Sequence, residues 1–119
     1  MARVLIVEDN RDIGLLYQRT FGLHETLMVD NAQAAIQLLH SQSFDLIILD
    51  MHLPGISGLS VLDHIDAGTI PVFAISADDT FKYQALQRGA IAWLTKPIEI
   101  DELLIKALPY LNGKISRSA

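Results

Sequence analysis

The chain alternates short apolar runs with longer segments in which apolar and polar residues follow a helical period. Four of the runs, residues 4–7, 46–49, 72–75 and 91–94, are apolar throughout. Runs of this kind are typical of strands that are buried on both faces of a parallel sheet. A more mixed run around residues 26–30 predicts a short second strand. The alternation of strands and helices predicts an α/β domain with right-handed crossovers.

The first two segments between the runs have the period and the polar caps of helices. The first is predicted to begin after Asn10, which caps it, and to run to about Phe21. Gly22 is expected to end this helix in the left-handed conformation. Asn31 is the predicted cap of the second helix. The residues expected on the apolar faces are Ile13, Leu16, Tyr17 and Phe21 in the first helix and Ala35, Ile36, Leu38 and Leu39 in the second.

Two further helices are predicted in the second half of the chain. The third begins at about Ser57, after a Pro54-Gly55 turn, and is expected to end near Gly68. It carries apolar residues at Leu59, Leu62 and Ile65. The fourth is predicted over residues 80–88 and stops at Gly89.

The last helix is predicted to begin after Pro97. Asp101 and Glu102 lie in its first turn, where the helix dipole favours acidic side chains. The residues that it is expected to bury are Leu103, Leu104, Ala107, Leu108 and Leu111. Residues 1–112 therefore form one predicted domain, and residues 113–119 are expected to be a tail or the start of a linker.

Composition narrows the classes of protein that fit this pattern. A chain of 119 residues is one domain with a core of its own. The absence of cysteine excludes disulfides and thiolate metal sites and suits a reducing, cytoplasmic setting. The net charge of −5, with scattered cations, disfavours direct binding to nucleic acid. No apolar run is long enough to span a bilayer and the first residues lack a signal-peptide pattern, so no membrane partner is expected.

Charged and hydroxyl residues follow the apolar runs at the point where the predicted strands end. Glu8 and Asp9 come after the first run, Asp50 after the third, Ser76 after the fourth and Lys96 just beyond the fifth. Functional groups of an open parallel sheet collect at the carboxyl ends of its strands, near the point where the strand order reverses. The sequence therefore predicts that three acids, one hydroxyl and one ammonium share a site.

The chemistry of such a site follows from the charges. If strands 1 and 3 are neighbours, as in the flavodoxin-like order 2-1-3-4-5, Asp9 and Asp50 lie side by side with Glu8 close behind. Crowded carboxylates attract a divalent cation, and oxygen ligands suit Mg²⁺. A carboxylate is also a nucleophile that forms an aspartyl phosphate. With Mg²⁺ and Lys96 neutralising phosphoryl oxygens and Ser76 donating to another, Asp50 is the predicted phosphoacceptor.

In order and spacing, these residues resemble the receiver domain of response regulators in two-component signalling, over essentially the whole chain. The matching motifs are Val4-Leu5-Ile6-Val7-Glu8-Asp9-Asn10, Leu49-Asp50-Met51-His52-Leu53-Pro54-Gly55-Ile56-Ser57-Gly58, Ile75-Ser76-Ala77 and Gly89-Ala90-Ile91-Ala92-Trp93-Leu94-Thr95-Lys96-Pro97. No single motif is decisive, but the four together are highly specific. The expected fold is a flavodoxin-like (βα)5 single domain, with a five-stranded parallel sheet in the order 2-1-3-4-5 and helices on both faces.

The resemblance implies a reaction and a ligand set. Asp50 would accept a phosphoryl group from a histidine kinase, a histidine phosphotransfer domain or a small acyl phosphate. Mg²⁺ would be bound by Asp9, Asp50 and the backbone carbonyl of His52, with Glu8 acting through a water molecule. The chain would be a phosphoacceptor rather than an enzyme, with autophosphorylation and autodephosphorylation as its only chemistry.

The resemblance also implies a switch. Ser76 and Trp93 would form it, the aromatic ring turning inward as the hydroxyl engages the phosphoryl group, and the helix 4–strand 5–helix 5 face would change state. That face would contact a downstream effector domain or protein. A second copy of the chain, forming a homodimer, is a further expected partner. Trp93 stands where the family usually has Tyr or Phe, and Glu8 stands where Asp is commoner. A cis Lys96–Pro97 bond is expected.

Three other functions remain open on the sequence. A phosphatase of the haloacid-dehalogenase type also uses an aspartate nucleophile, but its usual acid two residues later is His52 here. A flavodoxin-like binder of a nucleotide or flavin would carry a phosphate-binding loop after strand 1, where this chain has acids. A receiver-like interaction module that acts without phosphorylation is the third alternative.

Overall fold

The computed structural model describes residues 2–66 and 69–112, in which five strands alternate with five helices. The strands are β1 (Arg3–Val7), β2 (Glu25–Val29), β3 (Leu46–Asp50), β4 (Val72–Ser76) and β5 (Ala92–Thr95). The helices are α1 (Arg11–Thr20), α2 (Ala32–Ser41), α3 (Gly58–Asp63), α4 (Lys82–Gln87) and α5 (Ile100–Leu111). None of the helices in these ranges is long and apolar enough to cross a membrane. The predicted tail, residues 113–119, lies outside the described residues.

The strands form one parallel sheet in the order β2-β1-β3-β4-β5, which confirms the predicted topology. Alternate side chains of each strand face opposite sides of the sheet, so the domain has two cores. The α2–α3–α4 core contains Ala32, Ala35, Val61, Leu62 and Ala85 from the helices, with Leu5 and Val7 from β1. The α1–α5 core contains Tyr17, Leu103, Ala107 and Leu111, with Val4 and Ile6 from β1. Helices therefore cover both faces, as predicted.

The first two helices begin as predicted, but the first does not end as predicted. The side chains of Asn10 and Asn31 accept hydrogen bonds from the third residue beyond each of them, which is the expected cap. Gly22 was predicted to end α1 with a positive φ, and that prediction is wrong. The chain leaves the helix at Phe21, with a φ of −102°, and the N–H of Gly22 donates to the carbonyl of Arg19 in a tight turn.

α3 is shorter than predicted. It ends at Asp63, well before the predicted end near Gly68, which itself lies outside the described residues. The N–H groups of His64 and Ile65 donate to carbonyls three residues earlier, so the last turn tightens and the α-helical pattern stops there.

α4 begins at Lys82 rather than at Thr80. The N–H of Thr80 donates to the side-chain carboxylate of Asp78, a local bond that holds this part of the chain in a turn and delays the helix. Gly89 ends the helix as predicted, with a φ of +106°.

Two leucines that were predicted on buried faces are exposed. Leu16 is 44% exposed and Leu108 is 42% exposed. Leu16 precedes the buried Tyr17, and Leu108 follows the buried Ala107. Consecutive helix positions are about 100° apart around the axis. Leu16 and Leu108 therefore lie at the margins of the buried stripes of α1 and α5, respectively, rather than at their centres.

Candidate functional site

Three carboxylates meet at the carboxyl ends of β1 and β3. The two strands are direct neighbours, with Val7 opposite Leu49, so the residues after them lie side by side. Carboxylate oxygens of Glu8, Asp9 and Asp50 all lie within 4.8 Å of one another. Glu8 and Asp50 are only 2% and 3% exposed, whereas Asp9 is open to solvent. The structure thus brings together the acids that the sequence singled out and leaves one of them accessible.

Lys96 is the cation of this cluster. Its Nζ lies 3.1 Å from Oε1 of Glu8 and 3.4 Å from Oδ2 of Asp50. Partial burial acts to lower the pKa of Lys96, but the two carboxylates outweigh it and the pKa is raised. The ammonium is therefore charged at neutral pH. The Lys96–Pro97 bond is cis, which confirms that prediction.

One ammonium does not balance the negative charge of the site. Burial, and next the hydrogen bond and charge of Asp50, raise the pKa of Glu8 from 4.5 to about 7. Burial and the charges of Glu8 and Asp50 also raise the pKa of Tyr17. Oε1 of Glu8 is buried and receives no hydrogen bond of good geometry from the described residues, although the Lys96 ammonium lies beside it.

These residues fit a hard divalent cation. The donor set consists of carboxylate oxygens, one of them on a solvent-exposed residue, and one buried oxygen still lacks a good donor. Oxygen ligands with access to water are what Mg²⁺ favours. The N–H of His52 donates to Oδ1 of Asp50 at 3.0 Å, which fixes the start of the loop after β3. The part of the His52 carbonyl in binding a cation stays a prediction.

Ser76 ends β4 and is fully buried. Its Oγ accepts a hydrogen bond from the N–H of Asp78 at 3.3 Å, and its carbonyl accepts one from the N–H of Lys96 at 2.8 Å. The register of β3 and β4 pairs Asp50 with Ile75, so the hydroxyl of Ser76 lies one residue beyond Asp50 along the neighbouring strand. The residues that carry the hydroxyl and the ammonium are therefore joined by a backbone hydrogen bond between the ends of β4 and β5.

The loop between β4 and α4 carries contacts that the sequence did not predict. Oδ2 of Asp78 lies 3.6 Å from Nε2 of His52. Oδ1 of Asp79 accepts a hydrogen bond of 3.0 Å from Nε1 of Trp93 on β5. The only signal in the sequence is a pair of acids two residues after Ser76, which by itself reads as a solvated turn.

Gly58 allows α3 to approach the backbone of the central acid. A Cβ at this position would lie 2.9 Å from the carbonyl oxygen of Asp50 and 3.0 Å from Cα of Met51. Both atoms belong to the backbone, so they could not yield without moving the strand end. The missing side chain at residue 58 therefore helps to set the position of Asp50.

The raised pKa of Glu8 predicts a pH-dependent stability. A carboxyl whose folded pKa is above its unfolded pKa favours folding below the unfolded value, and this contribution is lost as the pH rises through the folded value. For Glu8 the window runs from 4.5 to about 7. In metal-free buffer, the Glu8→Gln variant is expected to gain stability relative to wild type between about pH 5 and about pH 8. Urea unfolding at both pH values measures the difference, and a difference that is constant or shrinks contradicts the prediction.

Comparison with known proteins places this site in a family. Residues 4–108 match the family model of the response regulator receiver domain. The chain is 34% identical to the uncharacterized transcriptional regulatory protein YrkP of Bacillus subtilis over 92% of this chain and 49% of YrkP. It is 35% identical to the response regulator protein FleR of Pseudomonas aeruginosa over 98% of this chain and 26% of FleR.

A solved structure shares the fold over nearly its whole length. The response regulator protein TrrA of Thermotoga maritima, solved in complex with Mg²⁺ and beryllofluoride, superposes with a TM-score of 0.83 at 28% identity. The match covers 93% of this chain and all of the TrrA chain. This chain belongs to the response regulator receiver domain family of two-component signalling. It spans about half or less of the length of the two curated relatives named above, both of which are regulators.

Proposed function

We propose that this domain is a phosphoacceptor switch in which Asp50 receives the phosphoryl group. The observation that carries the proposal is the position of the Asp50 carboxylate. It is buried, lies within 3.4 Å of the Lys96 ammonium, and shares a cluster with two further acids. A nucleophile held between a cation and a metal-binding group is what phosphoryl transfer requires, because the reaction depends mainly on positioning and charge neutralisation.

The proposed reaction moves one phosphoryl group. A carboxylate oxygen of Asp50 attacks phosphorus, and the bond from phosphorus to the imidazole nitrogen of a phosphohistidine, or to the oxygen of an acyl phosphate, breaks. Lys96 then holds one phosphoryl oxygen by charge, and the Ser76 hydroxyl donates to another. Autodephosphorylation reverses the state: water attacks phosphorus, the bond to Asp50 breaks, and inorganic phosphate leaves. When bound, Mg²⁺ supplies charge neutralisation, held by Asp9, Asp50 and the His52 carbonyl, with Glu8 acting through water.

The proposed partners follow from the family and from the surface. A histidine kinase or a histidine phosphotransfer domain supplies the phosphoryl group in the cytoplasm. The output face consists of α4, β5 and α5, and it carries exposed apolar side chains that suit protein contacts. These are Tyr83 and Leu86 of α4, Ile91 immediately before β5, and Ile105 and Leu108 of α5. A downstream effector domain or protein, or a second copy of the chain, would bind there, and the domain itself is proposed to extend over residues 1–112.

Labelling with acetyl phosphate tests the proposal. The wild-type chain is expected to become phosphorylated in Mg²⁺ and to remain unlabelled when the metal is chelated. It is also expected to release no nitrophenol from para-nitrophenyl phosphate, which a phosphatase would do. Two results would favour an interaction module that acts without phosphorylation. One is the absence of labelling in Mg²⁺, and the other is labelling that leaves the conformation of the output face unchanged.

Removal of the exposed acid is expected to weaken metal binding. The Asp9→Asn variant loses one charged oxygen of the cluster, so its Mg²⁺ affinity should fall by about tenfold or more and its labelling rate should fall with it. The control is Asp12→Asn, which removes an exposed carboxylate from the first turn of α1, outside the cluster. Calorimetric titration with Mg²⁺ measures the affinities. Equal Mg²⁺ affinities for Asp9→Asn and Asp12→Asn would show that Asp9 does not hold the cation.

A further inference from the structure

Two adjacent acids in the loop between β4 and α4 make contacts in opposite directions. Asp78 contacts the site: its N–H donates to Oγ of Ser76 at 3.3 Å, and its carboxylate lies 3.6 Å from His52. Asp79 contacts β5: its Oδ1 accepts the indole N–H of Trp93 at 3.0 Å. Because residues 78 and 79 share a peptide bond, a movement of one displaces the other. The loop therefore connects the Ser76 hydroxyl to the Trp93 indole by two hydrogen bonds and one covalent link.

Trp93 is held at both its apolar and its polar part. On β5 it lies opposite Ala74, and its ring packs, partly buried, against the α2–α3–α4 core. The nitrogen of the indole ring donates a hydrogen bond to the carboxylate of Asp79. An inward turn of the ring, which the resemblance to the family implies, would break this bond and leave the indole N–H to find another acceptor. Hydrogen bonds to a charged acceptor are stronger than neutral ones, so this contact opposes the turn.

We propose that Asp79 is a positioning residue that couples the phosphorylation site to the β5 surface through its hydrogen bond to Trp93. The proposal rests on the proposed function, since the signal begins when the Ser76 hydroxyl turns toward a phosphoryl oxygen. That turn weakens the bond from Asp78 and shifts the loop. Asp79 moves with the loop, and the indole follows its acceptor without leaving the core. In this chain the acceptor of the indole N–H, rather than free rotation of the ring, links site and surface.

The chain contains a single tryptophan, so its tryptophan fluorescence reports on the surroundings of Trp93. Mg²⁺ with beryllofluoride, which imitates a phosphoryl group on a carboxylate, is the probe. Binding is measured independently by calorimetry, and Trp93 emission is recorded at saturation. In the wild type the probe is expected to bind and to shift the emission. In Asp79→Ala the probe should still bind, with a dissociation constant within about fivefold of wild type, while the emission shift is lost.

Two further variants distinguish the loss of the hydrogen bond to Trp93 from a nonspecific effect of removing a surface carboxylate. Asp79→Asn keeps an oxygen acceptor without the charge and is expected to retain the emission shift. Asp101→Ala removes an exposed carboxylate from the first turn of α5, and it should behave as wild type in both measurements.

The outcomes distinguish this proposal from the proposed function. An emission shift in Asp79→Ala equal to that of wild type overturns the coupling through Asp79. A wild type that binds the probe without any emission shift overturns it as well. Loss of the shift in Asp79→Asn together with Asp79→Ala would show that the hydrogen-bond acceptor is not the link. A wild type that does not bind the probe in calorimetry refutes the phosphoacceptor function instead.

Discussion

The Asp50→Asn variant will take up no phosphoryl group from acetyl phosphate in Mg²⁺, under conditions that label the wild type. An amide oxygen is a poor nucleophile, whereas the buried carboxylate of Asp50 lies beside the Lys96 ammonium. Asparagine has nearly the same shape and keeps an oxygen that can accept the N–H of His52, so the fold should survive the change. The loss of labelling is thus expected to be complete and to come from chemistry rather than from unfolding.

Intact-mass measurement after incubation with acetyl phosphate checks this result. Asp12→Asn serves as the matched control and should label as the wild type does, because this exposed carboxylate lies outside the acidic cluster. Labelling of Asp50→Asn at the wild-type level would refute the assignment of the acceptor. Peptide mapping of such a product would then decide whether Asp9, the exposed acid of the cluster, had taken the group.

The Phe73→Ala variant is expected to lose about 3–5 kcal/mol of unfolding free energy. Phe73 is 1% exposed on β4 and belongs to the α1–α5 core, where its ring meets that of Tyr110 edge to face at 5.9 Å. Truncation removes buried apolar area and the ring contact, and it leaves a cavity between the sheet and α5. Since a domain of this size is stable by only about 5–15 kcal/mol, the loss is a large share of the total.

Urea denaturation followed by circular dichroism measures the change. Leu23→Ala is the control, because Leu23 is 88% exposed and its truncation should alter the unfolding free energy by less than about 0.5 kcal/mol. A loss below about 1 kcal/mol in Phe73→Ala would mean that the core closes around the smaller side chain. β4 also carries Ser76, so a destabilised β4 should lower the affinity for beryllofluoride at temperatures near the unfolding midpoint.

The fold was predictable because apolar runs mark strands, and the runs that form β1, β3 and β4 are buried on both faces. Residues 46–49 and 72–75 have no polar member, and they form the fully buried parts of β3 and β4. What the sequence could not supply was the geometry at the ends of elements. Gly22 has the residue type for a left-handed stop, yet the chain closes α1 with a tight turn at Phe21. Whether a glycine adopts a positive φ depends on the path that the chain takes to the next strand.

The central site was predictable for a related reason. Glu8, Asp50 and Ser76 each come directly at the end of a buried strand, and a parallel sheet gathers such positions at one edge. The contacts between loops were not predictable in the same way. Asp79 and Trp93 are fourteen residues apart, and their hydrogen bond depends on the path of the loop between β4 and α4. No local pattern of residue types encodes that path.

The place of Lys96 has a consequence for how the domain behaves when divalent ions are scarce. Its ammonium lies against two buried carboxylates and serves as a resident counter-ion within the protein itself. A domain that carries its own cation does not have to wait for a metal before it folds. Ion supply would then govern how quickly the switch can be set more than whether the domain folds.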